Sequence, residues 1–272
     1  MKKKYFLILV GFIILVGLGL VIKSTLLKAE RNEEETSHVK PEVTKLPYFN
    51  LLPIKEGNYF NFNIYRLPQD AAVEYEITYQ SLDPTGENVT QGIMGSIAVG
   101  GTGYTKEYVF GTCSTKVCKY DKGVEFGNVL VKLTEPKNEY ELSFEFHLQN
   151  LSPAGGLLTS KDGLISLEVP ANSISGVNYF ITHSTEGLPA SIKEKILAGP
   201  CGFFTSGERK LLNDATLTVQ VPQDGIGGNV FVWGWDDKEE KWIEFPVEVK
   251  EQKVTAKVNL FTTYIVIEKQ SS

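Results

Sequence analysis

VEYEITY, residues 73–79, decides the fold. Val73, Tyr75, Ile77 and Tyr79 alternate with Glu74, Glu76 and Thr78. A period of two puts the four apolar side chains on one face of an extended chain, whereas a helical period would scatter them. The segment reads as a half-buried antiparallel strand. The same alternation returns at Val129, Val131 and Leu133, at Tyr140, Leu142, Phe144, Phe146 and Leu148, and at Ala215, Leu217, Val219 and Val221. Further strands are expected over 93–99, 164–169, 177–183, 230–235, 241–245, 253–258 and 263–267, with 106–112 and 117–120 as the arms of one hairpin. A single short helical turn is expected over 189–197. Turn chemistry separates these runs, as in Asp83-Pro84-Thr85-Gly86 and Asp162-Gly163. Gly100-Gly101-Thr102-Gly103 is also a turn, since it lacks the lysine and the following helix of a phosphate loop. Short strands divided by turns predict an all-β protein of sandwich type.

Upstream lies YFLILVGFIILVGLGLVI, residues 5–22, which carries no charge. As a helix it would span about 27 Å, near the thickness of a bilayer's hydrocarbon core. Its lack of a polar face argues against a soluble core helix. The expectation is an uncleaved transmembrane signal anchor. A cleaved signal peptide stays open as the alternative, with Gly17 and Gly19 as a small-residue cleavage site. Lys2, Lys3 and Lys4 favour an inside N-terminus. The expected order is a cytoplasmic tail (1–4), the anchor (5–22), a charged linker (23–46), a β-sandwich (47–151) and a second β-sandwich (155–269). The boundary falls at Ser152-Pro-Ala-Gly-Gly156, which breaks the strand pattern.

The chain has 272 residues and a net charge of −6. Beyond Lys4 it carries 24 basic and 33 acidic residues. Such a balance excludes nucleic acid as the expected partner, because phosphate contact needs a basic surface. The three cysteines cannot form a complete disulfide framework. Cys113 and Cys118 flank four residues and are a candidate disulfide in an oxidising compartment. Cys201 reads as a small buried hydrophobe.

The second half resembles the ZU-type domain, a β-sandwich of ankyrins, zonula occludens proteins and netrin receptors with bacterial relatives in exported proteins. The residues that carry the resemblance are Gly155-Gly156, Asp162-Gly163-Leu-Ile-Ser-Leu-Glu-Val-Pro170, Gly199-Pro200-Cys-Gly-Phe-Phe204, Val232-Trp-Gly-Trp-Asp236 with Trp242, and 254–258 followed by Phe261-Thr-Thr-Tyr264. It covers 155–269. Some members of that family cut themselves at a His-Phe-Ser motif. The matching residues here are Leu260, Phe261 and Thr262, and Leu260 cannot serve as a base, so the resemblance implies no self-cleavage.

Catalytic candidates are few. The three histidines are scattered, and neither a His-Glu-x-x-His metal motif nor a Gly-x-Ser-x-Gly elbow occurs. His147 is expected to face outward on its strand, and Asp236, Asp237, Glu239 and Glu240 to form a solvated hairpin tip. No catalytic residue, cofactor or metal is assigned. Among the three tryptophans, Trp233 and Trp242 are expected in the core. Trp235, with Tyr104 and Tyr120, is a candidate ligand contact. The expected protein is a single-pass membrane protein with its sandwiches outside the cytoplasm. It would act as a non-catalytic adhesion or binding module for an envelope or host protein or a glycan. A structural spacer in a cell-envelope assembly is one alternative, and an exported enzyme with an unrecognised site is another.

Overall fold

The computed structural model describes residues 41–97, 103–115, 117–222 and 228–269. The expected anchor and most of the linker lie outside these residues, as does His38. Among the described residues, no helix is long and apolar enough to cross a membrane.

In chain order the strands are β1 (Tyr48–Ile54), β2 (Tyr59–Tyr65), β3 (Ala72–Leu82), β4 (Asn88–Ile97), β5 (Gly103–Val109), β6 (Gly111–Ser114), β7 (Val117–Tyr120), β8 (Phe126–Thr134) and β9 (Glu139–Leu151). They continue as β10 (Gly156–Thr159), β11 (Ile165–Val169), β12 (Asn178–Ser184), β13 (Lys195–Phe204) and β14 (Lys210–Gln220). The last are β15 (Asn229–Asp236), β16 (Lys241–Phe245), β17 (Val247–Lys250), β18 (Lys253–Leu260) and β19 (Thr263–Lys269). The described fold is all-β and its strand pairs are antiparallel.

The strand of VEYEITY is β3, and its burial alternates as its sequence does. The Asp83 carboxylate accepts hydrogen bonds from Thr85 N (2.8 Å), Thr85 Oγ1 (2.7 Å) and Glu87 N (2.9 Å). These bonds, the Thr85 hydroxyl foremost, hold its carboxyl below the usual range. With Gly86 at φ +90°, they close the β3–β4 hairpin.

A nine-stranded sheet runs β16-β15-β19-β13-β12-β9-β8-β3-β4. The turn at 152–156, where the sequence places a boundary, takes the chain out of this sheet into β10, and the strands on either side of it meet again as β9 pairs with β12. A three-stranded sheet, β1-β2-β5, supplies Phe49, Leu51, Phe60, Phe62 and Ile64 to a core shared with β3, β8 and β9. A five-stranded sheet, β10-β11-β14-β18-β17, builds a second core against β12, β13, β15 and β19. Phe180 belongs to this second core and its neighbour Ile181 to the first. Adjacent residues of a strand point to opposite faces, so the two smaller sheets cover opposite faces of the large one. Where they overlap, β12 is buried on both sides, and Phe180 through His183 are all inaccessible.

His183 sits in that doubly covered region. Leu51 N–H of β1 donates to its Nε2 (3.0 Å), and its Nδ1–H donates to the Ser184 carbonyl (2.5 Å). Its ring lies between Phe144 and Phe204, each at 4.8 Å. Burial pushes its pKa down to about 4 from 6.5, against the Ser184 bond, which raises it. The imidazole is therefore a neutral bridge between two sheets.

Three expectations are corrected. Residues 189–197 form no helical turn, because Lys195 and Ile196 pair with Glu268 and Ile267 of β19, and sheet pairing outweighs local propensity. Leu188 and Ile192 instead pack over Ile265 and Ile267. Residues 106–112 are not one hairpin arm. Through Val109 they pair with β2, and only Gly111 onward pairs with β7. The handover occurs at Gly111, at φ +140°, where a Cβ would lie 2.2 Å from the Lys119 carbonyl oxygen. His147, expected outside, is buried, with Nδ1 2.9 Å from the Thr159 carbonyl and Nε2 3.4 Å from Glu125. Its side of β9 is polar in pattern, but β10 crosses over it.

The His183 bridge yields a pH prediction. Unfolded, the imidazole binds a proton near pH 6.5; folded, it resists until about pH 4. The unfolded state then holds more protons, so stability falls as pH drops from 6.5 towards 4. The loss through this group is expected to reach about 3 kcal/mol. Urea unfolding of wild type and His183→Gln across this range checks it, because Gln retains an acceptor for Leu51 but does not titrate. Parallel pH slopes for the two proteins would refute the assignment.

Candidate functional site

The cross-strand partners Tyr48↔Tyr65 and Asn50↔Asn63 put two aromatic and two amide side chains on the side of β1–β2 that faces away from Phe49, Phe62 and Ile64. The Tyr48 and Tyr65 rings lie 5.6 Å apart at 31°. Asn63 Nδ2 donates to Asn50 Oδ1 at 2.7 Å, and Tyr48 Oη lies 2.9 Å from Thr263 Oγ1. Burial holds the Tyr48 phenol above its ordinary range, with the Thr263 hydroxyl opposing. Tyr48 is anchored, while Tyr65 leaves 43% of its surface to solvent.

The β15–β16 hairpin supplies the facing wall. Asp236 Oδ1 accepts from Lys238 N (2.9 Å) and Glu239 N (3.2 Å), which fixes the hairpin tip. Asp237 then meets the Arg209 guanidinium in an ion pair. Arg209 lies just before β14, and its carbonyl is tied to Phe261 N at 2.8 Å. Trp235 packs edge-on against Trp242 at 5.4 Å, and its carbonyl accepts from Thr262 Oγ1 at 2.5 Å. Although buried, Trp235 is among the residues that line the groove.

These groups line a groove of adjoining compartments that share the Arg209–Asp237 pair. A compartment of about 540 Å³ is lined by Trp235, Phe261, Thr262 and the hairpin tip. Another of about 640 Å³ is lined by Tyr48, Asn50, Tyr65, Trp235 and Glu240. A narrow cleft between Tyr65, Asn63 and Phe204 adjoins them, and Arg209 and Asp237 line all three. The result is a wall of aromatic rings beside a guanidinium, carboxylates and an amide. Among the described residues, no three His, Cys, Asp or Glu side chains are grouped to hold a metal ion.

The candidate contacts therefore separate. Trp235 lines the groove; Tyr104 and Tyr120 do not. Tyr104 Oη lies 3.3 Å from Tyr75 Oη in a phenol cluster with Tyr108. Tyr120 packs against Tyr59 at 5.8 Å, beside the disulfide that joins Cys113 and Cys118. The Tyr59 hydroxyl donates to Cys118 Sγ at 3.3 Å. Trp233 and Trp242, expected in the core, are only half-buried, at its margin against Leu188, Ile265 and Ile267, whereas Trp235 is the buried one of the three. Trp233 Nε1–H donates to Glu244 (3.0 Å), whose carboxyl is held low by Lys269 first and by this bond second. Cys201 is buried and unpaired, and burial pushes its thiol far up.

Tyr48, Asn50, Tyr65 and Arg209 were not singled out from the sequence. A signal existed for three of them: YFN at 48–50 and FNFNIY at 60–65 alternate core phenylalanines with aromatic and amide positions. Arg209 had none, because its partner lies 28 positions away on another hairpin.

The Arg209 and Asp237 side chains are 49% and 47% exposed. Arg209→Ala and Asp237→Asn are each expected to change unfolding free energy by less than about 1 kcal/mol. Urea titrations that show a larger loss would make the pair a structural brace.

Neither a protein-family model nor a curated protein matches the chain.

Proposed function

We propose that this chain is a membrane-anchored module displayed outside the cytoplasm, where it binds an envelope or host component without catalysis. The observation that carries this reading is the groove at Arg209 and Asp237. It offers two compartments, an exposed aromatic ring and two half-exposed hydrogen-bonding groups, each one residue from the end of a strand that packs into the cores. A rigid scaffold of this kind holds such groups in fixed relation and lowers the ordering cost of binding. The uncharged segment 5–22 supports the anchor, and the Cys113–Cys118 disulfide supports an oxidising compartment. The resemblance of 155–269 to ZU-type domains supports an exported sandwich.

In the groove, Thr262 is the hydroxyl nearest to nucleophilic chemistry in the resembled family. Its proton is directed to the Trp235 carbonyl, and the described histidines serve elsewhere, between sheets or beneath β10. A hydroxyl needs a base to attack, so binding is the use that this groove supports best.

The test uses cells that express the full chain with a C-terminal tag. Protease added outside is expected to remove the tag while the chain fractionates with membranes. Cells that display wild type should be retained on immobilised envelope or host surface material. Cells displaying equal amounts of Tyr65→Ala/Asp237→Ala should be retained several-fold less. A tag protected even after outer barriers are opened, or equal retention of both cell types, overturns the proposal.

A further inference from the structure

We infer that the groove takes an uncharged oligosaccharide, laid across the Arg209–Asp237 pair with one sugar ring on Tyr65; this rests on the binding role proposed above. Charge narrows the class first. Asp236, Asp237, Glu239 and Glu240 line the groove against Arg209, Lys210 and Lys238. Both signs of charge are present there, with no excess of positive charge. The chain as a whole is acidic, with a net charge of −6. A polyanion would meet repulsion on approach, and a polycation, though drawn by the overall charge, would meet Arg209, Lys210 and Lys238 within the groove.

Hydrogen-bonding capacity narrows it further. Arg209 meets Asp237 through Nη1 and Oδ2. The guanidinium retains N–H donors, and the carboxylate retains a second oxygen. A vicinal diol matches that arrangement, because one hydroxyl accepts from the guanidinium while its neighbour donates to the carboxylate. Asn50 adds an amide on the same side. An apolar peptide would leave these groups desolvated and unpaired.

The aromatic wall supplies the remaining element. A pyranose presents C–H groups on one face, and an exposed ring such as that of Tyr65 is a flat apolar platform for them. Tyr48, anchored to Thr263, backs Tyr65 from beneath at 5.6 Å and limits its freedom. Size sets the length of the ligand. Compartments of about 540 and 640 Å³ both have the ion pair in their lining. Either matches the volume of a site for a small organic ligand, about 300–1,000 Å³, so a ligand that spans both is an oligomer rather than one ring.

The full chain in a zwitterionic detergent is titrated with maltotetraose, cellotetraose and chitotetraose, and with tetragalacturonate as a charged counterpart. Calorimetry and tryptophan fluorescence provide the readouts. At least one neutral tetramer is expected to bind with an affinity insensitive to salt, because no net charge is neutralised. Tyr65→Ala and Asp237→Ala should each weaken it by about tenfold. Tyr104→Ala, outside the groove, should not. Binding of tetragalacturonate alone, lost at high salt, overturns the neutral class, as does failure of all three neutral tetramers to bind. Neutral binding that Tyr65→Ala and Asp237→Ala leave unchanged places the saccharide elsewhere and also overturns the inference. None of these results bears on retention of displaying cells by envelope material, so failure here and failure of the binding role are read separately.

Discussion

Burial of β12 on both faces is the constraint on which the rest of the structure depends. Its neighbours Phe180 and Ile181 enter two different cores because a strand sends successive side chains to opposite sides. Each fully buried phenylalanine or isoleucine contributes about 1.5–3 kcal/mol, so a strand loaded on both faces is strongly held in register. A slip by one residue would exchange the two sets and carry His183 away from Leu51. That hydrogen bond gives the doubly buried strand a polar contact to the sheet above it. Neutrality of the imidazole is a condition of this contact, since a protonated ring could not accept from Leu51.

This staggered stacking makes the groove. The three-stranded sheet covers one end of the nine-stranded sheet and leaves the far strands, β15 and β16, to the segment that contains Leu188 and Ile192. The Tyr48–Tyr65 end of the small sheet therefore lies beside the tip of the β15–β16 hairpin. Arg209 closes the gap from a third direction, from the connection between β13 and β14. None of the three walls is a loop without support. Tyr48 is tied to Thr263, Arg209 to Phe261 through its backbone, and Trp235 to Thr262.

The central pair of the groove adds little to stability. The Arg209 and Asp237 side chains are each about half exposed, so water screens their attraction and the pair adds little to folding. The same exposure leaves unused donors and acceptors at the surface, where a ligand can reach them. Asp236, its neighbour, has the opposite duty: its carboxylate is spent on the backbone of the turn, which fixes the direction of Asp237.

Much of the strand content was legible in the sequence. The period of two in VEYEITY, and its returns in β8, β9 and β14, are properties of the local chain, and each strand formed where the alternation stood. The tight turn of Asp83 and Gly86 was legible for the same reason, as was burial of the apolar Cys201 segment. Residues 189–197 and His147 show the limit. Their local preference, or their polar face, was overridden by strands remote in sequence that came to pair with them or cover them. Trp235 could be nominated as a candidate because tryptophan is rare and amphipathic, but the residues that line the groove with it, Tyr48, Tyr65 and Arg209, come from distant parts of the chain. The sequence by itself determined which residues extend and which side of each strand is apolar, because alternation is written residue by residue. Only the tertiary structure decided what covers each side and which polar groups meet at the uncovered rim, because strand order and sheet stacking arise from pairings between segments that share no local signal.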